Sequence, residues 1–298
     1  MSTSTPTTTT RPAPAAIGNR PRSAAQKGRS ARFHLLLVVA AITWLLPMIW
    51  MASMALTPNE VLQRSSTSLF PQSLTFENFL TVLRGSDMPR WFLNSAVVSI
   101  VTTVVTVVFC AMAGYAFARI PFPRRRIVFV IVLAGLMVPK EAMFVPLFLM
   151  ISSLDWQNTY AALILPRLAA PLGVFLMTQF FSKVPPELEE AARIDGAGRW
   201  RTFFAVMLPL ARPAMASLAI FTFVLTWNDY IWPLVASTRP EWFTITTGLA
   251  SLQSNFASAT NLGDLMARGL VGSLPLIVVF IVFQKQLIRG ITLGSGEK

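Results

Sequence analysis

The sequence is poor in the side chains that most chemistry needs: one cysteine, one histidine, three tyrosines and 13 acidic residues in 298. The lone Cys110 excludes an internal disulfide and a cysteine metal site, and the lone His34, at the start of an apolar run, reads as an interfacial residue. No G-x-x-x-x-G-K-[ST] loop is present to cradle a nucleotide, and Gly294-Ser295-Gly296 reads as a loose tail. With no nucleophile elbow and no paired carboxylates in apolar surroundings, the chain is expected to be no enzyme and to hold no metal or cofactor. Charge is scarce as well. Only 13% of residues are charged against 54% hydrophobic, and the mean hydropathy is +0.58. An ordinary globular domain cannot keep that much apolar surface from water, so the bilayer is the expected solvent.

What is present is long apolar sequence. A hydrocarbon core of roughly 30 Å needs about 20 mostly apolar residues per helix, and six segments approach that length: 33–56, 91–118, 127–150, 160–181, 213–236 and 269–287. The expected fold is all-α, a membrane protein with six transmembrane helices and both termini on one side. The net charge of +12 follows topology: basic residues crowd the segment before the first span, Arg119 and Arg124-Arg125-Arg126 after the second, the segment between the fourth and fifth, and the C-terminus. The positive-inside rule puts these, and both termini, in the cytoplasm. No RNA-binding motif or interleaved basic-aromatic pattern accompanies the charge, so nucleic acid is not an expected partner. Residues 1–32, basic and free of acids, read as a disordered cytoplasmic tail, 33–290 as one membrane domain, and 291–298 as a second tail. Ser53-Met54-Ala55 has the form of a signal cleavage site, but the apolar run before it is longer than a typical h-region and favours a retained anchor.

Two spans carry polar groups. In the third, Pro139 and Pro146 are expected to interrupt the helix, with Lys140 and Glu141 beside the break. These two, with Arg167, either line the outer part of a path through the membrane or snorkel to its outer interface. In the fifth, Trp227-Asn228-Asp229-Tyr230 and Trp232 combine aromatic rings with hydrogen-bonding groups, the means by which a sugar is held. The competing reading is an aromatic belt at the interface. Asn228 and Asp229 fit the path better, Trp232 the belt.

Between spans four and five, residues 183–212 form a charged island. Pro185-Pro186 suits a helix start, and Glu187, Glu189 and Glu190 then lie at the positive end of its dipole. Glu189 and Arg193 share a face at i, i+4. Ala191 and Ala192 leave a surface that a partner can approach, Gly196 permits a tight bend, and Asp195 is suited to cap a second helix. That helix carries Trp200, Phe203, Phe204 and Met207 on one side and ends at Pro209.

Glu190-Ala191-Ala192, Gly196 and Leu208-Pro209 match in residue and spacing the EAA loop of bacterial ABC importer permeases, with Val206 in place of the usual Ile. The chain resembles that family over nearly all of its length after the basic tail, and within it the second permease of maltose-type and glycerol-phosphate-type carbohydrate importers. The resemblance implies a type I importer permease in the bacterial inner membrane, paired with a homologous second permease above an ABC ATPase dimer that holds ATP and Mg. An extracytoplasmic binding protein would deliver a sugar-like solute. It also implies that Glu190, Ala191, Ala192, Asp195, Gly196, Ala197, Leu208 and Pro209 form a coupling helix that docks on the ATPase. The rival readings, an ATP-independent secondary transporter or a membrane scaffold, lack support from inverted repeats or intramembrane acid relays.

Overall fold

In this computed structural model the described residues are 24–64, 70–71, 73–84, 86–254 and 261–294, and among them every regular element is helical. The chain divides into two compact units, Met1–Ile49 and Trp50–Lys298. The first long helix, Ala24–Ala55, runs across that division and begins at Ala24 rather than Phe33. Part of the segment expected to be irregular is therefore helical. Residues 24–32 are mostly good helix formers, and a helix already nucleated by the apolar run propagates into them at one bond per residue. Residues 1–23 of the expected tail lie outside the described ones, and at the other end the last helix, Leu262–Gly294, extends past 290.

Three helices are long and apolar enough to cross a membrane alone: Phe33–Ala55, Met88–Arg119 and Leu262–Gln284. Three further pairs reach span length only as bent units, which gives up to six spans, although the pair at the fifth position begins at Arg199, inside the island, and not at Pro213. Arg125–Met137 and Lys140–Ser153 meet at 92°. Pro139 sets this break, because a residue before proline is driven out of the helical region, and Val138 is extended at φ −79°, ψ 116°. Pro146 does not interrupt: it lies in the first turn of Phe144–Ser153, where a missing amide costs nothing. Tyr160–Arg167 and Pro171–Lys183 meet at 48°, and Arg199–Leu210 and Arg212–Trp227 at 73°. The fifth span thus ends at Trp227, and the chain turns before the short helix Ile231–Ala236.

Span two, Met88–Arg119, is the hub, packing on Pro171–Lys183 and Arg212–Trp227. Without a hydrophobic drive between helices in lipid, close approach depends on small residues. At Gly114 a Cβ would lie 2.5 Å from Met177 Cβ and 2.8 Å from Thr178 N. Gly114→Ala is therefore expected to destabilise the fold by about 1–3 kcal/mol, because backbone is in the way and cannot rotate aside. A thermal midpoint in detergent equal to the wild type's would show that spans two and four do not pack this closely.

At the other end of span two, Asn94 Nδ2 donates to Glu241 O and Phe243 O, both at 2.9 Å, and Tyr160 Oη donates to Asn94 Oδ1 at 2.8 Å. Trp91 Nε1 donates to Pro240 O and Arg90 Nε to Glu241 O. These bonds fix the connection after the fifth span, so the polar run at 227–230 sits between two anchored elements.

Candidate functional site

The island between spans four and five folds as two helices around one sharp turn. The first, Glu187–Ile194, begins directly after Pro185-Pro186 with three acids in its first turn. Its end is a Schellman motif: the Gly196 amide donates to Arg193 O at 3.0 Å and the Ala197 amide to Ala192 O at 2.9 Å. Gly196 has φ +76°, as the motif requires at that position. Asp195 closes this first helix and does not cap the second, whose N-cap is Gly198 with no side-chain cap bond. The reason is register, since the bend consumes Asp195, Gly196 and Ala197 before the chain turns helical again. The second helix is α over Arg199–Thr202 and π over Phe203–Met207, with the Leu208 amide donating to Phe203 O. It then reaches Leu208-Pro209, both half-buried.

Exposure divides these residues sharply. Glu190, Ala191, Arg193 and Asp195 are exposed, while Ala192 is buried, so only one of the paired alanines leaves open surface. Ala192 lies three residues from Glu189, on the face turned inward. Ile194 is 87% exposed and Trp200 66%. Trp200 stacks on Phe204 at 6.0 Å, whereas Phe203 and Met207 are buried beside Tyr115 and Phe181. A groove of about 290 Å³ runs along this side, lined by Met112, Tyr115, Ala116, Ile120, Arg199, Trp200 and Phe203. The loop therefore presents a rim of acids and arginines around bare apolar side chains, the anatomy of a docking surface. Ile194, missed in the sequence reading, is its most exposed aliphatic side chain. Its signal is an apolar residue between Arg193 and Asp195.

The polar run of span five separates in the same way. Asp229 Oδ2 accepts from an Arg167 guanidinium N–H in an ion pair, with side chains 30% and 13% exposed. Asp229 Oδ1 receives the Trp232 amide at 3.4 Å, and Thr246 Oγ1 donates to Asp229 O at 2.6 Å. Asn228 is exposed, its amide bonded back to Val224 O at 2.9 Å, and Tyr230 is exposed beside it. Trp227, in contrast, is buried against Phe92 and Phe223, and its indole donates to Gly272 O at 3.1 Å. Trp232 is not a belt residue either, being buried with its indole donating to Ala162 O at 3.0 Å. Pro166 explains this bond: having no amide, it cannot donate to the carbonyl four residues back, and the indole takes its place. Lys140 and Glu141 are exposed in a short 3₁₀ turn and are not brought to Asp229. Among the described residues no group of three or more His, Cys, Asp and Glu could hold a metal.

Residues 107–293 match the family model described as the binding-protein-dependent transport system inner membrane component. The chain is 38% identical to an arabinooligosaccharides transport system permease protein of Halalkalibacterium halodurans, over 79% of this chain and 85% of the relative. It is 35% identical to a diacetylchitobiose uptake system permease protein of Streptomyces coelicolor, over 92% of each. An sn-glycerol-3-phosphate transport system permease protein of Pectobacterium atrosepticum is 32% identical over 89% of this chain and 97% of its own. The fold is similar, with TM-score 0.77 and 22% identity, to a chain of a bacterial ABC transporter that imports the acidic polysaccharide alginate, covering 88% of this chain and 98% of that one.

Proposed function

Because the chain belongs to the family of binding-protein-dependent transport system inner membrane components, a family of membrane permeases rather than enzymes, we propose that it forms half of the path of an ATP-driven importer for a sugar or sugar derivative. The observation that carries this reading is the 187–209 loop, a Schellman-hinged helix pair with an exposed Glu190, Ala191 and Ile194 between two membrane segments. Such a loop fits a groove on a separate ABC ATPase dimer, the holder of ATP and Mg. A homologous second permease would supply the other half of the path, and an extracytoplasmic binding protein the solute. Sugar names among the relatives support that substrate class. The exposed Asn228 and Tyr230 beside the Asp229–Arg167 pair offer amide, phenol and carboxylate groups suited to hydroxyls. Lys140 and Glu141, exposed in their 3₁₀ turn, would line the outer part of the path. The basic residues of the 119–126 turn and of the 183–212 loop support a cytoplasmic side for both connections and, with six spans, for both termini.

The test is purification of the tagged chain from its native membrane in mild detergent, with ATP hydrolysis assayed and copurifying chains identified. Recovery of a P-loop ATPase and a second membrane-spanning permease is the expected result. Recovery of the chain alone, under conditions that preserve known complexes, would favour an ATP-independent carrier.

A further inference from the structure

Arg119, the last residue of span two, does more than mark the cytoplasmic side. Its Nε donates to Phe181 O at 3.0 Å and a terminal N–H to Val184 O. Both carbonyls end the Pro171–Lys183 helix. Phe181 O cannot accept from residue 185, which is proline; it takes the Val184 amide at 3.3 Å, and the guanidinium adds a second donor. The same Nε lies 3.3 Å from Glu189 Oε1, an ion pair without an aligned hydrogen bond. Glu189 is 6% exposed and its second oxygen is 3.9 Å from Arg193. One side chain thus ties together the end of span two, the end of span four and the first loop helix. One turn earlier on span two, Tyr115 packs against Phe181 at 5.7 Å and Phe203 at 5.0 Å, which brings in the second loop helix.

We propose that Arg119 is a positioning residue for coupling: through Glu189 and the two carbonyls it makes the first loop helix move as one body with spans two and four. The inference rests on the reading of this loop as the ATPase-docking element. Glu190, about 100° around the helix from the buried Glu189, is exposed and faces the partner, so adjacent acids have separate tasks, one inward and one outward. A guanidinium is needed because it donates in several directions within one plane, which an ammonium cannot do at fixed position. Loss of Arg119 leaves the outer surface of the loop, and hence docking, in place, while the loop can then swing without carrying the spans.

The experiment uses the complex copurified through the tagged chain, reconstituted in nanodiscs, in a Cys110→Ala background with Asn228→Cys as reporter. The rate of maleimide alkylation at the reporter is compared with and without ATP and vanadate, beside ATPase recovery and ATP hydrolysis. In the parent complex the nucleotide is expected to change the rate by about fivefold or more. Arg119→Gln is expected to keep ATPase recovery and hydrolysis while the nucleotide effect disappears. Glu189→Gln, which leaves both carbonyl bonds intact, is expected to lose most of the effect, and serves if Arg119→Gln fails to assemble. A full nucleotide effect in either assembled variant would overturn the inference, and so would losses of recovery and effect in parallel, which mark a merely structural role. If the parent complex holds no ATPase, the importer reading fails instead.

Discussion

Gly196→Val is expected to reduce solute uptake about tenfold or more, with the chain still inserted in the membrane. At φ +76° an L-residue pays roughly 1–2 kcal/mol, and a β-branched one stands at the upper end, so that 1.4 kcal/mol corresponds to about a tenfold change in population of the bent loop. Space is not the issue, since a Cβ at this position would meet nothing within 4 Å. The effect must therefore follow backbone preference rather than side-chain size. Gly196→Asn, which tolerates the left-handed region, is expected to transport close to the wild-type rate. Uptake in a deletion strain, with a solute found by screening sugars, separates the cases. Equal uptake by the Val and Asn variants would mean that the hinge does not set the position of the docking surface.

Asp229→Ala is expected to be the most damaging single change in the membrane region. It leaves Arg167 charged and largely buried with its partner gone, at a cost of about 3 kcal/mol, and it frees the Trp232 amide that begins Ile231–Ala236. Low yield of folded permease is the expected readout, by size-exclusion profile in detergent. The double variant Arg167→Met, Asp229→Leu removes both charges and is expected to recover most of the yield. Its transport then decides the role of the pair: if uptake returns with yield, the ion pair is a structural clamp between spans four and five, and Asp229 does not belong to the solute path. If yield returns without uptake, the carboxylate or guanidinium contacts solute.

Local features were legible wherever one residue decides the geometry. Gly196 announced the bend, Pro139 the break in span three, and the alternation of apolar runs with basic turns announced six segments. Asp195 was misplaced because aspartate serves at either end of a helix, and in a three-residue bend the sequence does not say which end it closes. Pro146 misled because a proline breaks a helix only past its first turn. Arg167 and Asp229 stand 62 positions apart, and no local pattern pairs them. Trp232 resembled a belt residue because its environment depends on Pro166 in another span. That signal was present in principle, since a proline past the first turn of a helix frees a carbonyl that another donor must satisfy. Arg119 was hidden by its surroundings: among several arginines that obey the positive-inside rule, the one with a structural task looks like the rest.

The π turn at Phe203–Met207 gives the spacing of the loop a geometric meaning. A π turn accommodates one residue more than an α turn over nearly the same rise, so the interval from Gly196 to Leu208-Pro209 is a count of helical phase rather than of distance. Each residue added to an α-helix rotates the rest of the chain by about 100°, and the wider turn absorbs one such step before span five begins. Shortening 203–207 by one residue would tighten that turn to α while Trp200 and Ala211 kept their present bearings. Removing two residues would leave a rotation that nothing takes up, and the fifth span would enter the bilayer with a different face toward span two. The loop works as a vernier, tolerant of one notch and no more.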